Sequence, residues 1–375
     1  MRTFTDVPAL GWRPSLDGLR GLAVVAVIAF HLDTVRYLPG GSLGVDVFFV
    51  LSGFLITSLL LEEWSRSGTI SLRMFYIRRL LRLFPALVVF LLVYAVIVVA
   101  FNEAQFTGHQ DLNLLLTNLG MAVAYLFNWV AATLHPRVWG LGHLWSLAVE
   151  EQFYLVGPAL LVAALRFHLH PRVVIAASVA LAAGSASLAF SGLSYTRLFF
   201  GTDFRVQELI LGSILAQLIA ARYLRAGMLQ NFAFKALLTW SALSMVFLLL
   251  HLENRHTFLS IGGYTYVALI SSVIVLEAAL SSTGLLSRLL SQPWLIYVGR
   301  RSYALYLWHY PINIWLRGLD DMPQVILVVA FSVLLAELSF RFIERPALSL
   351  KQRLTANQSS GPISPFEHHP LIKAA

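Results

Sequence analysis

The chain has 375 residues, 58% of them hydrophobic, 12% charged and none of them cysteine, with a mean hydropathy of +0.73. Soluble domains carry about one quarter charged residues, so the composition excludes an ordinary soluble protein and specifies a polytopic membrane one. The missing cysteines exclude disulfides, thiolate metal sites and an acyl-cysteine intermediate. The net charge of +8 is not a nucleic-acid signal, because the basic residues lie mostly between apolar runs, where cytoplasmic flanks carry them.

The N-terminal stretch MRTFTDVPALGWRPSLDG has no short apolar region followed by a small-residue cleavage site, which predicts no cleaved signal peptide. Apolar runs that suit membrane helices follow at 17–35, 42–62, 80–101, 113–130, 143–165, 172–191, 204–222, 234–251, 262–280, 294–316 and 323–343. If all eleven cross, Lys and Arg divide evenly between the two sides. If 113–130, with its Asn113, Thr117, Asn118, Gly120 and Asn128, is re-entrant or interfacial, all but six become cytoplasmic. Only Arg36, Arg137, Arg197, Arg205, Arg255 and Arg317 then lie outside. The positive-inside rule selects the second arrangement. The expectation is an all-α transmembrane bundle of ten crossings in a bacterial cytoplasmic membrane, both termini cytoplasmic. One membrane domain covers 1–351, and the polar, Ser- and Pro-containing 352–375 reads as a disordered cytoplasmic tail.

The first run, RGLAVVAVIAFH, is bracketed by Arg20 and His31. Eleven residues are very nearly three helical turns, so the two side chains share a face about 16 Å apart along the axis. Ionisable residues at membrane depth mark functional sites by default; the blander readings are a snorkelling anchor for Arg20 and an interfacial ring for His31. GVDVFFVLSGFLIT places Asp46 near the outer end of the second span, where it can orient His31 or merely complement a helix N-terminus. Asp33 competes for that role. Ser52 and Gly53 read as close-packing residues.

RMFYIRRLLRLFP is a basic cluster at the start of the third span, with Arg79 and Arg82 at i,i+3. Guanidinium forks suit phosphate oxygens, although anionic lipid is the simpler partner for such a cluster. HLWSLAVEEQFYLVGP contains Trp145 and a stripe of Ser146, Glu150 and Tyr154 at i, i+4, i+8, which should face protein or a water cavity. RRSYALYLWHYP supplies Ser302, Tyr303 and His309. RFIERP reads as the structural end of the last span. Walker A, H-E-x-x-H and G-x-S-x-G patterns are absent, which leaves ATP-driven transport, zincin proteolysis and serine-elbow hydrolysis without support.

Taken in order, R-x10-H, GVDVFFVLSGFLIT, R-x-x-R, WSLAVEEQFY and YALYLWHYP resemble the acyltransferase 3 family of integral membrane acyltransferases, over roughly residues 10–350. The resemblance implies transfer of an acyl group, usually acetyl, from acetyl-CoA or another acyl-CoA to a hydroxyl. It implies no metal. Acceptors in the family are sugars of surface polysaccharide, lipopolysaccharide or peptidoglycan, or glycosylated natural products such as macrolides. Some members carry a C-terminal SGNH hydrolase-like domain; this chain ends about thirty residues after its last run and is similar to the stand-alone type. On that resemblance Arg20, Arg79 and Arg82 hold the coenzyme phosphates, and His31 is the general base, directly or through an acyl-histidine. Asp46 or Glu150 balances the imidazole. Trp145, Ser146, Tyr154, Ser302, Tyr303 and His309 are candidate cavity or oxyanion donors. The partners are then acyl-CoA, a carbohydrate or glycosylated acceptor and the bilayer, with no nucleic acid, and the sequence carries no signal for oligomeric state. A transporter or flippase of a glycoconjugate is the alternative; it should show inverted repeats or paired broken helices, and none is visible.

Overall fold

A computed structural model describes residues 4, 7–32, 38–100, 112–133, 140–252 and 257–356. Among these, sixteen α-helices and no β-strand form the protein. In chain order they are α1 (Pro14–His31), α2 (Gly44–Ser67), α3 (Leu72–Ala100), α4 (Leu112–Val123), α5 (Phe127–Thr133), α6 (Trp145–Arg166), α7 (Pro171–Ser187), α8 (Tyr195–Phe200), α9 (Thr202–Ala220), α10 (Phe232–His251), α11 (Tyr264–Leu280), α12 (Leu285–Leu290), α13 (Pro293–Arg300), α14 (Ser302–Trp315), α15 (Asp321–Ser339) and α16 (Arg345–Ala356). The protein is an all-α, multi-pass membrane bundle.

Eight helical stretches among the described residues are long and apolar enough to cross a bilayer: Pro14–His31, Gly41–Ser67, Leu72–Ala100, Gly142–Arg166, Pro171–Phe190, Phe232–His251, Leu259–Leu280 and Asp321–Leu350. Two expected crossings are missing from that set for physical reasons. Helix α9 has 19 residues but carries Asp203, Arg205 and Glu208. The run 294–316 is two helices, α13 and α14, that meet at Arg301. The 113–130 run is also broken: α4 has 12 residues, about 18 Å of rise against a hydrocarbon core of about 30 Å, and Tyr125 adopts φ +53° between α4 and α5. The last run does not stop at RFIERP. A π-helical turn at Phe340–Glu344 carries the chain into α16, with Pro346 in the first turn, where its missing N–H costs nothing. The tail beyond residue 356, together with Asp33, Arg36, Arg137 and Arg255, lies outside the described residues.

The chain divides into two compact units, one of residues 1–70 and 146–299, the other of 71–145 and 300–375. In the first, glycines let backbones touch, as small residues do in membrane helix interfaces. A Cβ on Gly53 of α2 would come within 1.8 Å of the Leu209 carbonyl of α9, and one on Gly212 within 2.0 Å of the Val50 carbonyl of α2. Helix α1 does the same with Gly18 against the Leu290 carbonyl and Gly21 against the Leu295 carbonyl. The apolar core then fills from these seams with Leu16, Leu19, Val47, Val50, Phe54, Phe204, Val267 and Val275. In the second unit the core is aromatic. Phe90 of α3 is buried edge-on to Trp308 of α14, with ring centroids 5.1 Å apart, and Tyr94 stacks on Trp315 at 5.8 Å.

Neither α2 nor α9 can yield at the Gly53 and Gly212 contacts, because the facing atoms are backbone. Gly53→Leu and Gly212→Leu should each lower stability by at least ~1–3 kcal/mol, read as the unfolding midpoint of the purified protein in detergent. Gly184→Ala on α7, where an added Cβ meets nothing within 4 Å, should leave the midpoint unchanged or raise it.

Candidate active site

Arg20 and His31 both lie on α1, so the helix itself enforces their separation of about 16 Å. The Arg20 guanidinium lies 3.8 Å from Asp17, whose carboxylate also accepts from Trp12 Nε1 at 3.0 Å. At the far end, His31 is the last residue of α1 and its Nδ1 is 3.0 Å from the Val27 carbonyl. A carbonyl only accepts, so Nδ1 carries the hydrogen and donates, and the lone pair of the neutral ring is on Nε2. The Phe30 ring meets it edge-on at 5.2 Å. An apolar cavity of about 130 Å³ runs beside α1, lined by Leu19, Leu22, Ala23 and Ala26 together with Met245 and Leu290. Those α1 positions lie roughly 110° around the helix from Arg20 and His31, so the cavity is not on the Arg20–His31 line.

Asp46 is in the first turn of α2, buried, and ion-paired with Arg205 of α9 at 3.0 Å. Arg205 also pairs with Glu208 one turn on, Nε to Oε1 at 3.0 Å. All three are at most 2% exposed. The Tyr264 ring of α11 lies 3.9 Å under the guanidinium, with Phe49 and Phe199 at 5.6 and 5.7 Å. The residue counted as an outer flanking cation is therefore the most deeply buried arginine among the described residues of its unit. Sequence reasoning passed over this cluster, although an Arg and a Glu at i,i+3 within one apolar run is the signal that finds it. Arg197 of α8 and Asp203 in the first turn of α9 form a bidentate pair at 2.7 Å. The Asp203 hydrogen bonds hold the Arg197 guanidinium above its ordinary pKa.

On α6, Glu150 accepts a hydrogen bond from the Ser52 hydroxyl of α2 at 2.6 Å. Two residues on, Gln152 accepts from Thr202 at the start of α9, also at 2.6 Å. Trp145, Ser146 and Tyr154 are buried on the same helix, so the expected stripe does face protein. The structure thus brings Ser52 to Glu150, and it brings Asp46 to Arg205.

The remaining expected residues belong to the second unit. Arg79 and Arg82 are half-buried on α3. Arg82 and Arg301 are the charges that face the buried Glu344, so Glu344, read from sequence as part of a terminal cap, is an interior carboxylate. Glu337 of α15 is clamped between Arg301 and Arg341. Ser302 opens α14. The Tyr303 hydroxyl donates to the Leu83 carbonyl at 3.0 Å. His309 is 1% exposed, with Nδ1 at 3.1 and 2.8 Å from the Leu305 and Tyr306 carbonyls, which again assigns the hydrogen to Nδ1. His143, 5.6 Å away between ring centres, instead turns Nε2 to the Leu307 carbonyl.

Helices of this kind, with a histidine and arginine on the first span and charges buried between spans, define a membrane enzyme class that comparison identifies. The family model described as an acyltransferase domain, acyltransferase 3, matches residues 13–339, and the chain belongs to that family. Peptidoglycan O-acetyltransferase OatA of Listeria monocytogenes serovar 1/2a is 36% identical over 353 residues, which cover 89% of this chain and 55% of that protein. O-acetyltransferase OatA of Staphylococcus aureus (strain NCTC 8325 / PS 47) is 33% identical over 349 residues, 89% of this chain and 57% of that protein. The chain spans about half the length of these curated relatives. No solved structure matches it.

Removing one member of a buried ion cluster leaves the others uncompensated and costs about 3–5 kcal/mol, whereas a replacement of the whole cluster that leaves no unpaired buried charge is far better tolerated. Arg205→Met should therefore sharply lower the unfolding midpoint in detergent. The triple variant Arg205→Met, Asp46→Asn, Glu208→Gln should recover most of that loss.

Proposed function

We propose that the chain is a membrane O-acetyltransferase that moves an acetyl group from acetyl-CoA to a hydroxyl of a cell-envelope carbohydrate, of the kind its peptidoglycan-modifying relative is named for. The observation that carries the chemistry is the His31 imidazole, fixed by Val27 so that Nε2 presents its lone pair. In the proposed reaction the acceptor hydroxyl gives its proton to Nε2 while its oxygen attacks the thioester carbonyl. The tetrahedral adduct collapses, the C–S bond breaks, and the coenzyme leaves as the thiol after the imidazolium returns the proton. The carbonyl end of α1 stabilises the positive charge that His31 carries in between.

Arg20, Arg79 and Arg82 are the proposed phosphate ligands, since planar guanidinium forks match phosphate oxygens. Asp46 is engaged by Arg205, which supports Glu150 as the carboxylate that balances the imidazolium. While His309 is neutral, its Nε2 accepts; this favours Ser302 over His309 as an oxyanion donor, and the Tyr303 hydroxyl is directed to Leu83. The setting we propose is the bacterial cytoplasmic membrane, with the coenzyme arriving from the cytoplasm.

Three measurements test this reading. His31→Ala should insert normally and lose all transfer of labelled acetyl from acetyl-CoA; wild-type transfer by that variant would refute the base assignment. Arg79→Ala and Arg82→Ala should each raise KM for acetyl-CoA by about tenfold or more, as the loss of a charge-assisted contact predicts, with a smaller effect on kcat. Mass spectrometry of envelope glycans from cells with and without the protein should show one acetyl mass lost in its absence, and the glycan that loses it is the acceptor.

A further inference from the structure

Sequence patterning makes Ser52 a packing residue beside Gly53, and its surroundings do show tight packing. Gly53 is pressed on the Leu209 carbonyl, and the Val50 carbonyl is capped by Gly212. Leu51 and Phe54 are 1% exposed. One and a half turns earlier, Asp46 is tied to Arg205. This stretch of α2 therefore has no freedom to slide or roll against α9. The hydroxyl of Ser52 nonetheless reaches across to α6, where it donates to Glu150 Oε1 at 2.6 Å. That length falls in the range of an O–H donor on a charged carboxylate, about 2.5–2.7 Å. Helix α6 is itself pinned to α9 two residues further on, by Thr202 and Gln152. The carboxylate is thus approached from a rigid strut on one side and carried by a fixed helix on the other.

From this geometry we propose that Ser52 is a positioning residue for the Glu150 carboxylate. Its hydroxyl fixes Oε1, and with it the plane of the carboxylate. A carboxylate offers two oxygens and about four lone-pair directions, so one short bond aims the group without exhausting it. The inference rests on the reading of Glu150 as the carboxylate that serves acetyl transfer. Ser52 touches no reacting atom in this scheme; it acts through Glu150.

The test uses the full chain purified in detergent, with acetyl transfer from acetyl-CoA as the assay. Ser52→Ala should lower kcat by about ten- to a hundredfold, the worth of a hydrogen bond to a charged group. KM for acetyl-CoA should stay within about twofold and the unfolding midpoint should not move. Ser52→Thr, which keeps the hydroxyl, should restore most of kcat. Wild-type kcat in Ser52→Ala overturns the inference. So does a fall in kcat matched by a fall in midpoint and not rescued by threonine, which would make Ser52 helix glue only. Glu150→Gln separates the two levels: if it keeps full activity, the Glu150 reading fails and the inference goes with it; if it is inactive while Ser52→Ala is fully active, the inference alone fails.

Discussion

Arg205 holds the first unit together electrostatically. A guanidinium at most 1% exposed can persist in an apolar bundle only where anions and aromatic faces replace its water. Asp46 from α2, Glu208 from α9 and the Tyr264 face from α11 do so here. Because the three groups come from different helices, satisfying the charge fixes α2, α9 and α11 in one mutual register. The entry to α9 is tied as well, by the bidentate Arg197–Asp203 pair and by Thr202 on Gln152.

The glycine seams supply what an ion cluster lacks. Hydrocarbon offers helices no hydrophobic drive to associate, so close backbone packing and interhelical hydrogen bonds must hold them. Gly53 and Gly212 bring α2 and α9 within contact of each other's carbonyls, a fit that tolerates neither rotation nor translation. Directional charge and backbone contact thereby act on the same pair of helices. That combination is what gives a single serine hydroxyl on α2 a defined target on α6.

The all-α bundle and the Arg20–His31 line were legible in the sequence, because hydropathy and the 3.6-residue period act locally. The charge count set 113–130 apart from the other runs as re-entrant or interfacial, and in the structure that run is broken into α4 and α5 at Tyr125. What escaped depends on partners far apart in the chain. Arg205 looks like a flanking cation until Asp46, 159 residues away, is placed against it. Ser52 looks like filler until Glu150, 98 residues away, arrives. Glu344 reads as a cap because Arg-Pro follows it, yet the π-turn at Phe340–Glu344 lets the helix continue and turns the carboxylate inward.

The histidines show how little of a site's chemistry lies in a residue's identity. His31, His251 and His309 all bring Nδ1 to the carbonyl four residues back, at 3.0, 3.0 and 3.1 Å. The tautomer is therefore a consequence of being in a helix, where that carbonyl is the nearest acceptor, and it leaves Nε2 as the basic nitrogen in each. His143 precedes its helix and uses Nε2 instead. His31 and His251 each close a helix, at the end that favours positive charge; what distinguishes His31 is Arg20, three turns away on the same helix. The carboxylates divide in the same way. Asp46 is engaged by the buried guanidinium of Arg205, whereas Glu150 accepts from a neutral hydroxyl, Ser52, which orients it. In the proposed reaction the carboxylate oriented in this way balances the imidazolium formed at His31.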